Sequence, residues 1–140
     1  MTGGVGHDQL KRFYKYHFIG ANPDDTRLIP ISRTVGANSP VDEMLFCFTH
    51  TREIDWMLPG IPPTGRAVEV PLVAVVQFRD GNVVHEHIYW DQALVLVQIG
   101  KLDPAELPVA GVETARKMLD KALPSNGLMQ NWASSGHKPV

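Results

Sequence analysis

One cysteine in 140 residues excludes an intramolecular disulfide and any cysteine-rich zinc site. That thiol, Cys47, stands in an apolar strand and reads as a small buried hydrophobe. No apolar stretch approaches the ~20 residues of a membrane span, so no membrane partner is expected. Met1-Thr2-Gly3-Gly4 has neither the charged nor the apolar region of a secretory leader, and a cytoplasmic location is the expectation. Charge is nearly balanced: 13 Lys and Arg against 15 Asp and Glu leave a net −2. That balance gives no reason to expect nucleic acid or anionic lipid as a partner. Nucleophile elbow, Walker motif and dinucleotide fingerprint are all missing. The segment Gly60 to Gly65 has glycines but no helix after it, so it is not a phosphate-binding loop.

The chemistry that is there concentrates in NVVHEHIYWD, Asn82 to Asp91. It follows Asp80-Gly81, and Asp-Gly between two apolar runs signals a hairpin whose central residues need positive φ. Its first arm is Glu69 to Phe78. Alternation puts His85, His87, Tyr89 and Asp91 on one face and Val84, Glu86, Ile88 and Trp90 on the other. Two imidazoles, a phenol and a carboxylate in one row read as the floor of a pocket.

The rest of the chain supplies an α+β frame. Asp8 to Ile19 has Leu10, Phe13, Tyr14 and His17 on one helical face, and Gly20 can end it. His17 reads as a core histidine before a pocket residue. Arg27 to Val35 is a strand in which Pro30 demands an edge position or a bulge. Val41 to His50 is the next strand, with Met44, Phe46, Phe48 and His50 facing one way and Leu45, Cys47 and Thr49 the other. Both faces are apolar, so both should be covered. Gln92 to Ile99 forms a short helix with Asp91 at its N-cap and Gly100 past its end. Asp103 to Glu106 carries the signals for one further helical turn. Val112 to Leu123 is an amphipathic helix stopped by Pro124. Residues 1–140 form one domain, and 124–140 are its flexible tail.

Asp91 has two competing readings. As a cap it accepts backbone N–H bonds; as an acid or base it sits at the mouth of an apolar cavity. Tyr89 and His87 lie ~7 and ~13 Å back along the same face, and such groups polarise carbonyls. His85 and His87 with Asp91 and His50 have metal-ligand chemistry. Ligands along one straight strand diverge, however, so paired strand histidines are the preferred reading and no metal is expected. Glu53 and Asp55 read as a solvated edge, and Trp56 and Trp90 as core or interface.

Several blocks together resemble the SnoaL-like polyketide ester cyclases of the nuclear transport factor 2-like, cystatin-like superfamily. They are Phe48-Thr49-His50, Leu58 to Arg66 with its Gly-Ile-Pro-Pro-Thr-Gly loop, Phe78 to Gly81, His87 to Gln92, and Gln98-Ile99-Gly100. Their order is also similar to members found beside dienelactone hydrolases. The resemblance implies a curved antiparallel sheet wrapped around a helix-lined cavity, often a homodimer or larger homo-oligomer. It implies cofactor-free proton abstraction from a small hydrophobic carbonyl compound. Asp91 would then be the base, with His87, Tyr89 and His50 as orienting groups. Phe46, Phe48, Trp56 and Val76 would form the apolar walls, and His85 a further substrate contact. Members of that family open with a longer helical segment than the seven residues before Asp8. The N-terminal helices are therefore expected to be shortened, with another copy or the Val112 to Leu123 helix covering the concave face.

Three functions fit. One is a cyclase- or isomerase-type enzyme, one a small-molecule binding protein, and one an oligomerisation or accessory domain for a hydrolase. The fold hosts all three.

Overall fold

The computed structural model describes residues 3–139; Met1, Thr2 and Val140, to which the leader and tail readings extend, lie outside them. Four antiparallel strands run in chain order: β1 (Arg27–Val35), β2 (Pro40–Thr49), β3 (Ala67–Arg79) and β4 (Asn82–Trp90). The β3–β4 hairpin turns at Asp80 and Gly81 with φ of 51° and 75°, the left-handed pair the dipeptide requires. Pro30 sits on an edge strand and next to a bulge, with the register of β1 against β2 shifting between Pro30 and Ser32. Both of the positions open to a strand proline are thus used at once.

Helix α1 (Gly6–Phe13) continues into a π-helical turn, Tyr14–Phe18, closed by the Ile19 N–H on the Tyr14 carbonyl at 2.9 Å. Its half-buried side is Leu10, Phe13, Tyr14, His17 and Phe18. Helix α2 is Gln92–Gln98 and helix α3 is Val112–Leu119. The latter stops four residues before the expected end. Asp120 takes an extended backbone, and its side chain accepts the Ala122 N–H, a local bond that competes with the helical one. Asp103 to Glu106 makes turns only, closed by Leu107 N–H on the Pro104 carbonyl.

The sheet has a large core on one face. Phe46, Phe48, Val68, Val70, Leu72 and Ala74 pack there against Ile54, Trp56, Met57 and Leu58 of the β2–β3 connection and Leu94, Val95 and Ile99 of α2. The opposite face holds a smaller cluster, Leu45 and Cys47 under Ala115 of α3, flanked by Ile29, Ile31 and Met118. Each face of β2 is covered, as its two apolar sets require. The covering differs from expectation in one respect: α3 lies on the outer face. The inner face is closed by the 54–58 loop, α2 and the α1 segment.

No helix among the described residues is long and apolar enough to cross a membrane.

Candidate functional site

Register decides where the β4 side chains go. Ile88 pairs with Ala74 and Trp90 with Leu72, so both join the inner core. His85, His87 and Tyr89 pair with Gln77, Val75 and Val73, on the outer face, and all three are exposed. They cannot form the floor of a cavity walled by Phe46 and Phe48, which lie on the inner face. The physical reason is a competition between the two faces of β4. Burying Ile88 and Trp90 gains ~1.5–3 kcal/mol for each large apolar side chain. Burying two imidazoles and a phenol would need a partner for every polar atom. The one polar group that goes inward, Glu86, accepts a hydrogen bond from the Tyr14 hydroxyl of the π-helical turn. Burial, and then this bond to Glu86, push the Tyr14 phenol far up, so it is a neutral donor at every physiological pH.

Asp91 is the N-cap of α2. Its Oδ1 accepts the Leu94 N–H at 3.1 Å, and its residue is exposed. The neighbouring polar residues of the same motif are latches. Gln92 accepts from Trp90 Nε1 at 2.6 Å and donates to the Met57 carbonyl at 2.9 Å. Gln98 pairs with both backbone groups of Glu69, at 2.9 and 3.0 Å, docking α2 to β3. Gly100 follows at φ 71°. A side chain there would also collide with the Arg66 guanidinium. The Asp-Gln and Gln-x-Gly steps thus hold a helix in place.

The expected wall residues are mostly filled-in core. Phe46 and Phe48 are buried, and their rings pack at 5.4 Å. Val76 is half-buried on the inner face, opposite Glu86. His50 is wholly buried, with Nδ1 3.1 Å from Thr64 Oγ1 and Nε2 without a partner. Its backbone clasps the proline-rich loop, accepting the N–H groups of Thr64 and Gly65 and donating to Arg66. Burial holds the His50 imidazole below its ordinary pKa.

Trp56 is the expected residue that does border open space. Its indole is mostly buried, donates from Nε1 to Asn22 Oδ1 at 3.0 Å, and packs against Phe18, Phe46 and Trp90. With Phe13, Gly3, His17 and Asp55 it lines an open cleft of about 210 Å³. Across that cleft His17 Nδ1 lies 2.7 Å from Asp55 Oδ2. A larger depression, about 620 Å³, is lined only by tail residues from Met129 to Lys138.

The His17–Asp55 pair is the constellation that sequence reasoning missed. His17 carried a signal, since it shares the helix face of Phe13 and Tyr14. Asp55 carried none, because nothing local brings together residues 38 apart. The π-helical turn that holds His17 is itself of a kind that recurs at functional sites.

No protein-family profile matches the chain, and no curated protein matches it. Solved structures do. AclR of Streptomyces galilaeus, a proposed hydroxylase, is 25% identical with a TM-score of 0.56, over 71% of this chain and 70% of that one. A proposed SnoaL-like polyketide cyclase from a Jannaschia species is 20% identical with a TM-score of 0.55, over 74% of this chain and 75% of that one. IdmH, a proposed polyketide cyclase from Streptomyces antibioticus, is 23% identical with a TM-score of 0.51, over 67% of this chain and 65% of that one. The chain shares the fold of these structures, the SnoaL-like frame that its sequence resembled.

Proposed function

We propose that this protein takes a small hydrophobic carbonyl compound into the cleft beside Trp56 and abstracts a proton from it, as in a cyclase- or isomerase-type reaction. His17 is the base and Asp55 the group that orients it. The observation that carries this reading is the 2.7 Å contact between His17 Nδ1 and Asp55 Oδ2 on the wall of an aromatic cleft. A carboxylate only accepts, so Nδ1 carries the proton of the neutral ring and Nε2 keeps its lone pair. That lone pair takes a proton from the carbon next to the carbonyl. The imidazolium that forms is steadied by Asp55 and returns the proton at a second position. Phe13 and Trp56 supply flat apolar walls for a planar substrate. Asp91, committed to Leu94, serves this site only by holding α2 and, through it, the core behind Trp56.

The openness of the cleft favours a second reading, binding without turnover: the side chains of His17 and Asp55 are 41% and 47% exposed. One experiment separates the two. The protein is incubated with enolisable hydrophobic ketones in deuterated water, and C–H exchange is followed by NMR alongside tryptophan fluorescence. Exchange that drops ~10²-fold or more in His17→Gln supports catalysis. Fluorescence change without exchange supports binding alone. If neither signal appears with any ketone tested, the cleft is not a ligand site. A homodimer or larger assembly belongs to the same reading and is tested by sedimentation.

A further inference from the structure

The outer sheet face carries a second constellation, away from the cleft. His85 and His87 stand two residues apart on β4, both exposed, with His85 Nε2 3.1 Å from His87 Nδ1 and ring centroids 3.9 Å apart. The Tyr89 hydroxyl lies 3.4 Å from the same His87 nitrogen. The straight-strand argument for diverging ligands therefore fails here: the side chains lean toward one another and their nitrogens converge. In the metal-free pair one ring nitrogen donates and the other accepts, so a single proton occupies the space between them.

We infer that His85 and His87 form a chelating site for a divalent late transition-metal ion, copper(II) first and zinc(II) or nickel(II) more weakly. Imidazole nitrogens bind such ions at ~2.0–2.1 Å, which puts two adjacent ligands of one ion ~2.9–3.4 Å apart. The 3.1 Å separation already falls in that range. Both rings are exposed, so modest rotation about their side-chain torsions turns the two lone pairs onto one ion in place of the shared proton. The Tyr89 oxygen is the nearest further donor, and Gln77, opposite His85 in the register, offers an amide oxygen. β4 is an edge strand, so the remaining coordination positions open to water. Copper leads because affinity at nitrogen sites peaks there in the divalent series. No group of three or more His, Cys, Asp or Glu residues is assembled for a metal among the described residues. A two-imidazole site of this kind holds an exchangeable ion rather than a structural one. Its occupancy would tie together two side chains of the uncovered edge.

The test is a titration of the full, untagged chain with copper(II), read by electron paramagnetic resonance, and with zinc(II), read by NMR. The expected result is about one copper ion per chain with hyperfine coupling to two imidazole nitrogens, and zinc shifts centred on His85, His87 and Tyr89. His85→Ala and His87→Ala should each weaken binding by at least ~10-fold, while His7→Ala and His137→Ala leave it unchanged. Far-UV circular dichroism confirms that the variants fold, and the wild-type shift map stands without them. Equal binding by the double variant, shifts centred on another histidine, or no binding with millimolar metal would each overturn the site.

Discussion

His50 is a wholly buried imidazole with one ring nitrogen near Thr64 and the other unpartnered. Burial makes its charged form unfavourable in the folded state, so its folded pKa lies below the unfolded value of ~6.5. The unfolded chain then binds the extra proton. This contribution to stability is intact above ~6.5 and is lost as pH falls below that value toward the depressed folded one. The loss is at most ~1.4 kcal/mol per pH unit, the limit for one proton. Urea unfolding at pH 7.5 and 5.5 should show the wild-type midpoint falling more steeply than that of His50→Leu. Equal slopes would mean that the imidazole is protonated in the fold. Cys47 shows the same physics in a thiol: burial beside Leu45 and Ala115 pushes its pKa up and keeps it a packing residue, as its apolar strand suggested.

Helix α2 is seven residues long, too short to persist alone, and stands because its ends and flank are tied. Asp91 caps its start, Gln92 and Gln98 bond to the Met57 and Glu69 backbones, and Leu94, Val95 and Ile99 enter the core. The cap needs an oxygen acceptor rather than a charge. Asp91→Asn should therefore keep stability within a few tenths of a kcal/mol, and Asp91→Ala should cost ~1 kcal/mol. If the Asn variant instead kept its stability but lost exchange activity on the ketones, Asp91 and not His17 would be the base. The same element shows what could be read from local pattern. Its cap, its bounds to within a residue and its glycine stop were all legible, because each rests on side chains contacting backbone three or four residues away. Whether the Asp-Gln step was chemistry or a latch was not legible. That depended on Met57, more than thirty residues distant in the chain.

Across the whole molecule the side chains divide between two cores and a tail that joins neither. Residues 125–139 form turns and one short 3-10 helix, Ala133–Ser135, and they leave Leu128, Met129 and Trp132 more than half exposed. Trp132 packs into neither core cluster. Removing residues 125–140 should shift the thermal midpoint by less than ~2 °C; a fall above ~5 °C would mean that the tail carries core stability. Strand positions, the Asp80-Gly81 turn, the Pro30 irregularity, the two-sided burial of β2 and the overall SnoaL-like frame were all present in the amino-acid sequence. They follow from period, turn chemistry and composition, which act over a few residues. Three things were decided only by the assembled fold: which side of β4 is buried, which sheet face α3 covers, and which charged groups meet. Alternation defines two faces on β4 but assigns neither to the core; the fit of Ile88 and Trp90 against Ala74 and Leu72 does that. His17 meets Asp55 because the α1 segment lies across the inner face, and that path is set by packing Phe13 and Phe18 beside Trp56.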